Sequence, residues 1–229
     1  MADDPGVKPL KEIVEACLAF HSKISLRSKL FGPDPDLTPK FILDHQGRYF
    51  SRDMLVDVYA IFWPLFDCAL LWLVVGPLHC SLVWTVGIGT IAAYRLFDLM
   101  GAILWVLIKR SPYDSADERK MAISLLAYVE PIFLFAILHG ALSAILAINS
   151  NSIAGAGYAL DGKAWNWVSV LHYSVGCYTT IGSGSVSALC PFSILLSDIE
   201  TLTGIIMITL TITVFVSRAL SAKPTPERG

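Results

Sequence analysis

Residues 165–185 read WNWVSVLHYSVGCYTTIGSGS, and the rest of the chain is best understood outward from them. The first two thirds are amphipathic and interrupted by polar residues. They are too short to cross a bilayer, which takes about 20 consecutive apolar residues in a helix. They run directly into TTIGSG at 179–184. The pattern fits a re-entrant segment, a half-helix that enters the membrane from outside and returns as extended backbone. Non-helical backbone is tolerated at that depth only where it is buried in protein or lines an aqueous path. Gly182 and Gly184 stand at alternate positions, and glycine's freedom of φ lets successive carbonyls face one side. Thr180 adds a hydroxyl oxygen beneath them. A ladder of such oxygens replaces the water shell of a monovalent cation, which makes Thr180, Ile181, Gly182, Ser183 and Gly184 the candidate ion-binding residues.

The composition around this stretch is that of a membrane protein. Of 229 residues only 16% are charged and 55% are hydrophobic, where a soluble domain carries about 25% charged residues. Mean hydropathy is +0.61. A net charge of −2 gives no nucleic-acid footprint. Four stretches suit spans: about 54–75, 81–108, 122–148 and 194–218, with Gly76-Pro77 separating the first two as a tight hairpin. Lys and Arg number eight in 1–53, four in 109–120 and three from Arg218 onward; the 149–193 connection holds only Lys163. The positive-inside rule then puts both termini in the cytoplasm of a multi-pass plasma-membrane protein. The expected organisation is a cytoplasmic segment 1–53, a transmembrane hairpin 54–108, a cytoplasmic loop 109–120, a pore-like domain 121–219 and a tail 220–229. Residues 8–31 suit an amphipathic helix, lying on the membrane surface or packed against other cytoplasmic parts. The first 20 residues lack a cleavable leader pattern. Five cysteines show no metal-like spacing and no readable disulfide framework.

Ionisable residues inside spans are costly and therefore informative. They are Asp57, Asp67, Arg95, Asp98 and Glu130. Either a buried Asp67–Arg95 pair, or Arg95 with Asp98 one turn away, would neutralise the charges. A voltage sensor needs several basic residues at every third position of a helix, and this chain has one.

At TTIGSG the chain resembles the potassium channel pore-domain family, closest to the prokaryotic two-helix ion channel group. That family carries Thr-Val/Ile-Gly-Tyr/Phe-Gly, usually followed by Asp. The resemblance covers about 122–219 and implies an outer helix, pore helix, filter and inner helix. It also implies a homotetramer in the lipid bilayer, with potassium as permeant and no cofactor. The fold expected is all-α: four transmembrane helices, a re-entrant pore helix and a selectivity-filter loop. Glu200 and Gly204 take the places of the family's inner-helix Glu and hinge Gly. Thr179, Trp165, Trp167 and Glu200 are the expected filter supports. Ser183 and Ser185 depart from the pattern. The family's aromatic packs against the pore helix and fixes the filter diameter, so the Trp165–Trp167 region has to brace the filter differently.

A bare TxGxG is weak evidence. Thr85-Val86-Gly87-Ile88-Gly89 matches it equally well, yet sits inside the second span with no room for a preceding half-helix; its glycines suit close helix packing. In the last span Thr209 and Thr213, with Thr201, Thr203 and Thr211 nearby, either line a wet cavity or bond back to their own helix carbonyls. Gly204 is either a hinge or a packing contact. Asp198 and Glu200 draw cations, or Glu200 hydrogen-bonds backbone behind the filter. Two rivals remain. One is a weakly selective or non-conducting pore-like scaffold, motivated by Ser183. The other is an intramembrane hydrolase using Ser183, which needs a nearby histidine as base; His139 and His172 both lie upstream. No enzyme motif is present, and the chain reads as a non-enzyme.

Overall fold

The computed structural model describes residues 42–43, 49–50, 52–76, 81–109, 118–150, 156–161, 164–182 and 184–221. The segment 8–31, Ser183, most of the 109–120 loop and the tail from 222 lie outside them. The described residues are mostly helical. In chain order they form β1 (Ile42–Leu43), β2 (Tyr49–Phe50), α1 (Arg52–Val75), α2 (Leu82–Lys109), α3 (Glu118–Ser150), β3 (Tyr158–Leu160), α4 (Trp167–Tyr178), β4 (Val186–Ala188) and α5 (Pro191–Ser221). The all-α expectation is corrected by two small antiparallel sheets, β1–β2 and β3–β4. Strands of two or three residues carry no alternation to read, so neither was legible in advance.

Among the described residues, three helical segments are long and apolar enough to cross a membrane: Leu82–Gly101, Tyr128–Asn149 and Pro191–Thr213. They correspond to the second, third and fourth expected spans. Within the first, Ile61–Val75 is a shorter apolar stretch. The chain divides into two compact units, residues 1–59 with 94–113 and residues 60–93 with 114–229.

In the first unit β1 pairs with β2, Ile42 opposite Phe50 and Leu43 opposite Tyr49. Arg95 and Asp98 are buried there, and Arg95 Nη1 lies 3.1 Å from Asp98 Oδ2. This is the within-helix pairing of the two considered for Arg95, and it removes the cost of an isolated buried charge.

In the second unit α3 is the central element. Leu134, Phe135, Ala136, Ile137 and His139 are fully buried, as is Ser143. Its small residues set how closely neighbours approach. A β-carbon on Gly140 would meet Val75 Cγ2 at 2.8 Å, and one on Gly89 would meet Ala141 Cβ at 3.3 Å. Gly89 of the TVGIG sequence is thus a helix-packing glycine, while Gly87 faces open space. By contrast, among its described side chains α5 buries only a narrow stripe, Ser193, Glu200, Gly204 and Met207. Its spacing of seven, four and three is that of one helix seam. Many of the other apolar residues of α5, among them Phe192, Leu195, Leu202 and Ile212, are exposed.

Candidate functional site

α4 begins at a fully formed capping box. Asn166 Oδ1 accepts from the amides of Val168 and Ser169, both at 3.0 Å, and Ser169 Oγ accepts from the Asn166 amide at 2.9 Å. These bonds satisfy donors that the first helical turn leaves free. Asn166→Ala is expected to lower stability by about 1 kcal/mol, read as a fall in the thermal midpoint of the detergent-solubilised protein.

The other end of α4 passes straight into the TTIGSG loop. Thr179 caps the helix, its amide and Oγ1 both donating to the Val175 carbonyl at 3.0 and 2.6 Å. The chain then folds back, with the Thr180 amide donating to the Cys177 carbonyl at 3.2 Å and the Gly182 amide to the Gly176 carbonyl at 3.0 Å. Beyond the helix, positive φ recurs at every second residue: 62° at Thr180, 83° at Gly182 and 55° at Gly184. Ile181, between the first two, is outside that region. Thr180 is the one non-glycine of the described residues with positive φ. A β-branched residue there is strained, at a cost of about 1–3 kcal/mol. Alternation of this kind turns successive carbonyls toward one side. The carbonyl end of α4, equivalent to about half a negative charge, leads into the same loop.

Beyond the loop, β4 is paired to β3. Tyr158 is opposite Ala188, Ala159 opposite Ser187 and Leu160 opposite Val186. The ladder continues to the loop itself, where the Asp161 amide donates to the Ser185 carbonyl at 3.0 Å. Tyr158, Tyr173 and Val186 form a buried cluster with Trp165 packed against it. Trp165 stacks on Tyr158 with ring centroids 4.7 Å apart. It therefore packs where the strand leaving the loop is held, whereas Trp167 at the helix start is 49% exposed.

Two residues of α5 hold the end of α4 from behind. Thr201 Oγ1 donates to the Cys177 carbonyl at 3.1 Å. Gly204 lies so close that a β-carbon would sit 1.9 Å from the Tyr178 carbonyl oxygen. Of its two sequence readings, close packing is the one seen. Glu200, fully buried, is bonded on both oxygens: His139 Nε2 is 2.9 Å from Oε2, and Ser174 Oγ contacts Oε1. Ser174 Oγ also donates to the Ile132 carbonyl at 2.7 Å, and His139 Nδ1 is 2.6 Å from the Tyr158 hydroxyl. Glu200 thus bonds side chains of α3 and α4, not the backbone expected of it, and does so behind the helix rather than in the open. Sequence reasoning missed Ser174 and Tyr158, and read His139 only as a possible base. These residues come from separate segments, and the one signal was the presence of polar side chains in apolar runs.

Asp198 is exposed, Asp67 and Glu130 are buried, and His172 is exposed. The hydroxyls of Thr203, Thr209, Thr211 and Thr213 all donate to carbonyls four residues back, at 2.7–2.8 Å. This is the second of the two readings given to the threonines.

Two cysteines flank the site in opposite environments. Burial pushes the Cys177 thiol up to about 11. At Cys190 burial is the largest single effect and raises the thiol, but hydrogen bonds with the Ser193 hydroxyl and with backbone amides together outweigh it and lower the thiol below its usual value. The thiolate is the reactive form. In chains retaining one cysteine each, maleimide at pH 8 is expected to label Cys190 faster than Cys177. Labelling of Cys177 should then rise as pH climbs toward 11. Equal rates at pH 8 would contradict these environments.

Residues 134–221 match the model of a family described as ion channel, close to the 122–219 over which the resemblance was drawn. The match runs from within α3 through α5 and takes in Trp165, the 179–184 loop, Glu200 and Gly204. It supports an ion channel built on this part of the chain, and leaves α1 and α2 outside. No curated protein and no solved structure matches the chain.

Proposed function

We propose that the chain is one quarter of a channel for monovalent cations, preferring potassium, with the backbone of residues 180–184 as its filter. The observation that carries this reading is the recurrence of positive φ at Thr180, Gly182 and Gly184 directly after a 12-residue helix. One chain supplies one such strand of carbonyls, and a ring that replaces a hydration shell takes four. Exposure supports the same stoichiometry. Ile181 is 84% exposed, and Thr180, Gly182 and Gly184 are exposed with it. Irregular backbone at membrane depth has to be covered by protein or water, and copies of the same loop around an axis supply both. Thr179 and Trp165 brace the loop at its two ends, with Glu200 behind. The charge asymmetry of the loops supports four spans per chain with both termini cytoplasmic.

The test is purification followed by cross-linking and tracer flux in sealed liposomes. A four-chain limit on cross-linking together with potassium uptake above empty vesicles is expected. A stable tetramer that passes no monovalent cation would favour the scaffold reading.

A further inference from the structure

The buried cluster behind α4 has a direction. Five groups are strung together by four contacts: the Tyr158 hydroxyl, the His139 ring, the Glu200 carboxyl, the Ser174 hydroxyl and the Ile132 carbonyl. The last is a pure acceptor, so Ser174 gives its single hydrogen there. Ser174 can then meet Glu200 Oε1 only as an acceptor, which requires the hydrogen to sit on Oε1. Glu200 Oε2 is left to accept from His139 Nε2–H, and the bare Nδ1 accepts from the Tyr158 hydroxyl. Every hydrogen is used once, every contact is satisfied, and no group carries charge.

The two charged arrangements are worse. With a carboxylate and an imidazolium, Tyr158 becomes an acceptor and its own hydrogen has no acceptor among the described residues. Ser174 must also turn from Ile132 to Glu200. With a carboxylate and a neutral ring, a full charge sits at zero exposure without a counterion. The other titratable groups that act on Glu200 are Tyr158 of β3 and Tyr173, Cys177 and Tyr178 of α4. None of them is a cation.

We infer that Glu200 is held as the undissociated acid in the chain Tyr158→His139→Glu200→Ser174→Ile132 carbonyl, and that this neutral chain is a positioning device tying α3, β3 and α5 to the helix behind the loop. The positioning role rests on the channel reading above; the protonation state does not.

Infrared spectroscopy of the full-length protein at neutral pH tests it without any need for conduction. An undissociated-acid carbonyl stretch that disappears in Glu200→Gln is expected. Absence of that band, or a band that survives Glu200→Gln and so belongs to another buried acid, overturns the inference. A second measurement checks the direction of the chain. Glutamine can accept from His139 through its oxygen and donate to Ser174 through its amide, as the neutral acid does. Glu200→Gln should therefore keep a thermal midpoint near that of the unmodified chain, while Glu200→Ala loses it. Equal losses in the two variants would overturn the assigned direction. Failure of flux with the band present would count against the channel reading alone.

Discussion

Gly204→Ala is expected to lower stability by about 3 kcal/mol, at the upper end of what overpacking costs, and to abolish cation flux. The alanine β-carbon would lie 1.9 Å from the Tyr178 carbonyl oxygen, 2.8 Å from its carbon and 3.1 Å from its α-carbon. These are backbone atoms, so no side-chain rotation relieves the clash. α5 or the end of α4 has to move, and Tyr178 is the residue before Thr179-Thr180. Tyr178 is itself buried, edge-on to Tyr128 with ring centroids 5.4 Å apart, which limits how far it can retreat. Thermal midpoint and tracer flux read the two effects separately. A hinge role for Gly204 predicts a different outcome, in which the alanine variant keeps its midpoint and changes only how often the channel opens.

Gly182→Val is expected to abolish flux with a much smaller loss of stability. Nothing lies within 4 Å of a β-carbon at Gly182, so there is no clash to unfold the protein. The cost is conformational, because a φ of 83° is one an L-residue adopts poorly, at about 1–2 kcal/mol for the left-handed region and more for a β-branched side chain. Relief of that strain flips the local backbone and takes a carbonyl out of the row. D-Alanine introduced at 182 by semisynthesis, for which positive φ is favoured, should conduct. Retained flux in Gly182→Val at an unchanged reversal potential would remove residue 182 from the filter. The pair of substitutions separates a glycine required for space from one required for its dihedral angle.

What could be read from sequence was what local pattern carries. Three of the four apolar runs fall on helical segments long and apolar enough to cross a membrane, and the first on a shorter apolar stretch; the helix expected before TTIGSG is α4. The TVGIG decoy fell inside a helix for the reason its position suggested. Contacts between segments distant in the chain were not legible. His139 and Glu200 are 61 residues apart and show only as two polar side chains in apolar stretches. Gly204 looks the same in a sequence whether it bends or packs, and only the Tyr178 carbonyl beside it distinguishes the two. The β3–β4 pair is invisible because three residues have no periodicity, yet it holds the strand that leaves the loop. The stacking of Trp165 on Tyr158 was not legible, since Tyr158 lies on that unforeseen strand.

The central reading is that cations pass along the 180–184 backbone, and a bilayer recording across a potassium chloride gradient tests it most directly. The current is expected to reverse at the potassium equilibrium potential, and the reversal potential to move further from zero when sodium replaces potassium on the dilute side. Reversal at the chloride potential, or the same current in Gly182→Val as in the unmodified chain, would contradict it.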